Sequence, residues 1–247
     1  MTGPATTPGP GAAAPERVPP GAELPGRCDQ AAFVAFRVLF GALIRAWFRL
    51  RIEGAPPVGP CVLVANHTSF LDPLLLGASQ RARIVYLMTE VVWRSPALGW
   101  FYRWSRAIPL STRGANRDAL RAARAVLAQG RIVGVFPEGG LSRDGQLLLG
   151  SPGAVLLALQ ANVPIVPVGI VGARAAMPPG AALPRPRRVT VRFGAPIPPA
   201  ELQALGGDDR RERLRLATAA VMRRIASLTG QVAREDQLAA ARSSTTV

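Results

Sequence analysis

Apolar residues recur along this chain in two rhythms. Short, nearly unbroken runs stand at CVLVAN (61–66), IVYLM (84–88), AIPL (107–110), RIVGVFP (131–137), VPIVPVGIV (163–171) and VTVRFG (189–194). Runs of this length, rich in Val and Ile and bounded by Gly, Pro or Asn, read as strands, the first of them leading into a turn. Between them lie segments with helical spacing. LDPLLLGAS (71–79) starts like a helix, with Asp72 a candidate N-cap and Pro73 at the first helical position. NRDALRAARAVLAQG (116–130) has Asn116 to cap it, Leu120, Ala123 and Leu127 on one face and Gly130 to end it. SPGAVLLALQAN (151–162) follows, and a last helix near 209–228 puts Leu214, Ala217, Val221, Ile225 and Leu228 on one stripe. Strands alternating with helices predict an α/β domain with a mixed, largely parallel central sheet flanked by helices. No internal repeat is visible.

The ends of the chain break this pattern. Residues 1–27 are a Pro/Gly/Ala/Thr tract and 230–247 is polar and Ala-rich. Neither buries enough apolar surface to offset the entropy of ordering, so both read as disordered tails around a domain at 51–229. No apolar run with a small-residue cleavage site marks a secretory signal. Residues 31–50, AAFVAFRVLFGALIRAWFRL, have the length of a membrane span but contain Arg37, Arg45 and Arg49. At about 100° per residue these three share a sector of about 120°, with Phe33, Phe40, Leu43, Ile44 and Trp47 opposite or beside them. Each Arg would cost about 2.5 kcal/mol or more in mid-bilayer, which argues against spanning. We read 28–50 as an amphipathic helix lying in an anionic membrane surface, the alternative being a helix packed on the protein's own core. As an anchor alone, it is expected to be removable with a folded remainder.

Charge and composition narrow the chemistry. Of 247 residues, 30 are basic against 15 acidic, a net charge of +15, and every basic residue is Arg. Arg, Ala, Gly and Pro are abundant together, as in a GC-rich coding sequence, but the excess also suits an anionic partner. With no Lys, the chain lacks the side chain that a P-loop, a protein kinase or a pyridoxal enzyme requires. One His, His67, and two Cys, Cys28 and Cys61, make neither the usual His/Cys zinc site nor a disulfide framework. Imidazole chemistry, if present, belongs to His67.

His67 stands in Asn66-His67-Thr68-Ser69-Phe70-Leu71-Asp72. On one regular helix, residues five apart are about 140° apart and do not face each other. They meet if His67 lies in the turn after the strand and Asp72 caps the next helix. Asp72 then holds one ring nitrogen and stabilises imidazolium, while the other takes a proton from a substrate hydroxyl. The plain alternative is a polar turn histidine beside an ordinary capping Asp. The second string is Phe136-Pro137-Glu138-Gly139-Gly140, running on to Arg143, which places Glu138 at the carboxyl end of a strand, where ligands bind in open α/β sheets. Gly139 and Gly140 allow close backbone approach, and Arg143 is a candidate phosphate partner. By itself this string also reads as a Gly-rich turn.

NHTSFLD at 66–72 and FPEG at 136–139 together resemble the first and third signature blocks of the glycerolipid acyltransferase family, which includes the 1-acylglycerol-3-phosphate acyltransferases. Ala107-Ile108-Pro109-Leu110 through Arg113 is similar to the second block and Val163-Pro164-Ile165-Val166-Pro167-Val168 to the fourth, in order, over about 33–228. The resemblance implies an α/β fold with an N-terminal helical element on one membrane leaflet, at the cytoplasmic face. It implies acyl transfer from acyl-CoA or acyl carrier protein to a lysophospholipid, most simply 1-acyl-glycerol-3-phosphate, with no metal or bound cofactor. His67 would remove the acceptor's proton, Asp72 orient His67, Arg113 hold the acceptor phosphate, and Glu138 with Gly139 shape its site. Two departures fall there. Gly140 and Leu141 stand where the family continues Thr-Arg, leaving Arg143 as a possible replacement, and the second block has one extra residue and no acid before Arg113.

Two other classes compete. A serine-type lipid hydrolase would use Ser142 with His67 and Asp72, but no GxSxG elbow surrounds it. A basic, non-enzymatic phospholipid- or nucleic-acid-binding module would draw on the 12 Arg in 185–247, yet no nucleic-acid-reading motif accompanies them and aromatics are only 6%. We therefore expect no nucleic-acid partner. A catalytically degenerate, lipid-binding member of the same family is the third possibility.

Overall fold

The strand Cys61–Ala65 is buried at every position, which requires a neighbour on each side and a layer on each face. The computed structural model, which describes residues 26–112 and 116–234, supplies all four. In chain order the elements are α1 (Arg27–Trp47), β1 (Arg51–Glu53), β2 (Cys61–Ala65), α2 (Asp72–Ser79), β3 (Ile84–Thr89), α3 (Glu90–Trp93), α4 (Gly99–Trp104) and β4 (Ile108–Leu110). They continue with α5 (Arg117–Ala128), β5 (Ile132–Val135), α6 (Gly153–Ala161), β6 (Ile165–Val171), α7 (Ala173–Ala176), β7 (Thr190–Phe193), α8 (Pro199–Gln203) and α9 (Arg210–Thr229). The seven strands form one sheet in the order β1-β7-β6-β2-β5-β3-β4. β6, β2, β5, β3 and β4 run in one direction, while β7 pairs antiparallel with β6 and carries β1 parallel to itself. The sheet is thus mixed and largely parallel, as expected.

Alternation along the central strands divides the core in two. Val62 and Val64 of β2 point to the face covered by α5, α6, α8 and α9, while Cys61, Leu63 and Ala65 point to the face covered by α1, α2 and α7. The helix ends follow local chemistry. Asp209 caps α9 by accepting from the Arg211 N–H at 2.8 Å. Asn116 does not cap α5 as expected, because its amide pairs with the backbone of Ser111 at 2.7 and 3.3 Å instead.

The C-terminal tail expected from residue 230 departs from that expectation at its start. The stretch after Gly230 stays ordered at first, since Ala233 is buried in the core and the Gln231 side chain donates to the Gly145 carbonyl at 2.6 Å. Residues 1–25 and 235–247, and Arg113, lie outside the described residues.

The apolar side of α1 is shared between two environments. Phe33 and Phe36 pack on Trp104 at 5.3 and 5.2 Å between ring centroids, and Ile44 and the adjoining Phe48 are buried under the sheet. Val34, Val38, Leu39, Leu43 and Trp47 remain exposed. Phe33, Phe40 and Ile44, which the wheel placed on an outward membrane face, therefore turn towards the protein, because α4 and α2 offer them partners. Arg45 is also engaged, its Nε donating to the Ala78 carbonyl at 2.9 Å.

Candidate active site

β2 and β5 are adjacent and parallel, with Cys61 level with Ile132 and Val64 with Val135. The same offset, carried past the strand ends, sets His67 level with Glu138. Both lie at the carboxyl end of the sheet, and the Glu138 Oε1 accepts the His67 backbone N–H at 2.8 Å. The turn after β2 is fixed on its other side by Asn66, whose buried amide donates to the Ile170 carbonyl at 3.0 Å and accepts the Ile170 N–H at 2.7 Å. The Ser142 N–H bonds the His67 carbonyl at 2.9 Å. The His67 backbone is thereby held by two residues of the loop after β5, and its neighbour Asn66 is tied to β6.

Its ring is held as well. Nδ1 lies 3.0 Å from the Asp72 Oδ2. That oxygen also accepts the N–H groups of Thr68 at 2.7 Å and Ser69 at 2.8 Å, and Asp72 is fully buried. Burial, the largest influence, pushes the Asp72 carboxyl above the usual carboxylate range, and the donors from His67, Ser69 and Thr68 pull it back. A proton would have to sit on Oδ1, which is buried without any acceptor, so the geometry suits the carboxylate. Asp72 is consequently not the N-cap the sequence suggested. It is the first residue of α2, preceded by Leu71, and its side chain folds back onto the turn that carries His67. Nδ1–H pointing at Asp72 leaves Nε2 as the basic nitrogen, on a side chain that is 19% exposed.

Phe136 stacks on the His67 ring at 4.3 Å and 24°, and Tyr86 stacks in turn on Phe136 at 6.0 Å and 8°. The Tyr86 hydroxyl donates to the Pro73 carbonyl at 2.8 Å, tying this aromatic column to the start of α2. Glu138 is mostly buried, and its second oxygen accepts the Leu148 N–H at 2.9 Å. Burial raises its carboxyl to about 7 against the pull of these two N–H groups. A histidine with an ionic partner, a defined tautomer and an open nitrogen is suited to taking a proton from a hydroxyl.

Residues 49–171 match the family described as Acyltransferase. The chain belongs to this acyltransferase family. It is 33% identical over 126 residues to 1-acyl-sn-glycerol-3-phosphate acyltransferase BAT2, chloroplastic, of Brassica napus, covering 49% of this chain and 36% of the relative. It is 35% identical over 128 residues to the human 1-acyl-sn-glycerol-3-phosphate acyltransferase alpha, covering 49% and 44%. The chain thus spans less than half the length of these relatives. The crystal structure of the 1-acyl-sn-glycerophosphate (LPA) acyltransferase PlsC from Thermotoga maritima superposes with a TM-score of 0.63 at 25% identity, covering 84% of this chain and 85% of that one.

Within this acyltransferase fold the other sequence-read residues scatter around His67. Gly139 is exposed with φ +69°, and a Cβ there would meet nothing, so its role is the left-handed turn rather than a close approach. Arg143 is exposed, one residue beyond the Ser142 that holds His67. Ser142 itself is fully buried, its hydroxyl donating to the Gln146 carbonyl at 2.7 Å and accepting from the Gly145 N–H at 3.0 Å. That is a loop-closing hydroxyl, not an exposed nucleophile. Sequence reading passed over Arg174 on α7, which is close to this loop and donates to the Ser142 carbonyl at 3.4 Å. Its only signal was a place just past β6, the strand beside β2. Phe136 was within reach of sequence reasoning as the first residue of FPEG, but its stack on His67 depends on strand order.

Proposed function

We infer that the protein transfers a fatty acyl group from acyl-CoA or acyl carrier protein to the free hydroxyl of a lysophospholipid, 1-acyl-glycerol-3-phosphate, giving phosphatidic acid. The observation that carries this reading is the His67 Nδ1 to Asp72 Oδ2 contact of 3.0 Å, which leaves Nε2 open at the carboxyl end of the sheet. In the reaction Nε2 takes the acceptor hydroxyl's proton as the oxygen attacks the thioester carbonyl. The tetrahedral adduct collapses, the C–S bond breaks, and the imidazolium gives the proton to the departing thiolate, which leaves as the thiol. Asp72 stabilises the imidazolium between the two steps. Glu138 acts by fixing the His67 backbone, with Gly139 shaping the turn beside it. The cations Arg113, Arg143 and Arg174 are the partners for the acceptor phosphate. The names of the relatives support the acceptor, and this chemistry calls for no resident metal or cofactor.

The reaction takes place at a membrane surface, on the cytoplasmic face. Supporting a membrane surface, α1 is long and apolar enough to cross a membrane by length and composition, is largely exposed, and carries Arg37 and Arg45, with Arg49 in the turn just after it. Lying in the interface with the Arg among headgroups fits these residues better than spanning.

The test is acyl transfer by the purified chain to a panel of lysophospholipids, with acyl-CoA and acyl carrier protein as separate donors. Transfer to 1-acyl-glycerol-3-phosphate is expected, and His67→Ala should lower turnover by roughly 10²–10⁴ with the melting temperature little changed. Residual turnover near that of the unaltered chain would overturn the role of His67. A trapped acyl group on Ser142 would restore the hydrolase reading.

A further inference from the structure

Between β3 and β4 the chain turns apolar side chains into solvent. Val91 is 73% exposed, Trp100 62% and Leu98 48%, and none of the three belongs to either core cluster. Soluble monomers rarely expose a large contiguous apolar patch without a partner for it. This one adjoins another. Phe101 of α4 meets Phe36 of α1 at 5.8 Å and Trp100 at 5.9 Å, so the exposed face of α4 continues towards the exposed face of α1. Charge frames the patch. Arg94 and Arg103 are exposed on the same segment, and its one acid, Glu90, is paired with Arg94.

Position gives the patch its meaning. β3 runs parallel to β5, and β5 to β2, so α3 leaves the sheet at the same end as His67 and Glu138. β3 is two strands from β2, about 10 Å at the usual strand spacing. Phe70, on the His67 turn itself, is exposed as well. By contrast α1 packs through Ile44 and Phe48 into the core face shared with α2 and α7, so α1 alone would attach the protein without fixing which end of the sheet meets the lipid.

We propose that the α3–α4 segment is a second membrane contact, in which Val91, Leu98 and Trp100 enter the headgroup–acyl boundary of an anionic bilayer and hold the His67 end of the sheet at the lipid surface. Apolar side chains with a Trp, flanked by Arg, are the composition that partitions to such an interface. A lysophospholipid then reaches His67 without leaving the interface. The proposal rests on the reading that the protein works on a membrane through α1, and it deepens that reading.

The test uses the full chain and vesicles of phosphatidylcholine with phosphatidylglycerol. Val91→Asp/Trp100→Asp should bind these vesicles about tenfold more weakly than the unaltered chain at an unchanged melting temperature, as should Leu39→Asp/Leu43→Asp on α1. If the charged pair lowers the melt, Val91→Ser/Leu98→Ser serves with a smaller expected loss. With brominated lipids, Trp100→Phe should lose a measurable share of the tryptophan quenching shown by the unaltered chain. Undiminished vesicle binding by these variants of the α3–α4 hairpin, or undiminished quenching in Trp100→Phe, overturns the proposal. So does a hairpin variant that loses self-association in sedimentation while binding vesicles normally, which would make the patch a contact between copies. If neither the α1 nor the hairpin variants lose binding, the α1 reading fails too. None of these readouts depends on turnover, so they stand whatever His67→Ala shows. Transfer to a dissolved short-chain acceptor should stay unchanged in the hairpin variants.

Discussion

Two carboxylates stand behind His67, and their surroundings give them different work. Asp72 turns one oxygen to three donors and so keeps its charge beside the imidazole. Glu138 spends both oxygens on backbone N–H groups, yet burial still raises it from 4.5 to about 7. Between pH 4.5 and 7 the folded chain therefore holds a proton on Glu138 that the unfolded chain has released. Stability from this group is full below pH 4.5 and is lost as pH rises through about 7. The loss is on the order of 3 kcal/mol, at about 1.4 kcal/mol per tenfold. Glu138→Gln should flatten this part of the curve. Melting temperature against pH, compared between the two proteins, checks it, and parallel curves would mean that Glu138 titrates normally. The His67–Asp72 pair was legible in the sequence because a turn brings residues five apart together. The bond from Glu138 to His67 was not, since a separation of 71 residues closes only through β2–β5 pairing.

The elements themselves were largely legible, since buried strands and amphipathic helices carry their periods locally. Their order in the sheet was not, because β1 and β7 run against the other strands through contacts that no local pattern encodes. Gly134 shows how such a long-range contact constrains one residue. On β5 it lies level with Tyr86 of β3, and a Cβ there would come within 2.7 Å of both the Tyr86 ring and the Ile84 side chain. The glycine thus makes room for the ring that backs Phe136 and His67. Gly134→Ala should destabilise the fold by about 1–3 kcal/mol through overpacking and displace Tyr86. If the proposed reaction holds, it should also lower kcat more than it raises KM for the lysophospholipid, because the column positions the His67 ring and not the substrate. A denaturation midpoint and kinetics within error of the unaltered chain would show that β3 yields without cost.

At the scale of the whole molecule, the Arg excess and the first helix take on separate meanings. Part of the C-terminal Arg cluster is paired within the protein, Arg192 with Glu53, Arg215 with Glu212 and Arg224 with Glu201, so it is less free for an outside polyanion than its count implies. For α1, a helix that only anchored the protein would leave an intact domain when removed. Here Ile44 and Phe48 fill the core face lined by Leu71, Leu75 and Leu76, and the Val189 N–H donates to the Phe48 carbonyl at 3.0 Å. Losing a buried Phe and Ile costs about 5–10 kcal/mol, comparable to the whole stability of a domain. Deleting 28–50 should therefore leave a chain without a cooperative thermal melt. Leu39→Asp/Leu43→Asp, which changes only exposed positions, should melt with the unaltered protein. The pair of melts separates the roles: a cooperative transition near the original temperature in the deletion would make α1 a detachable element, and its loss makes the helix an integral part of the domain.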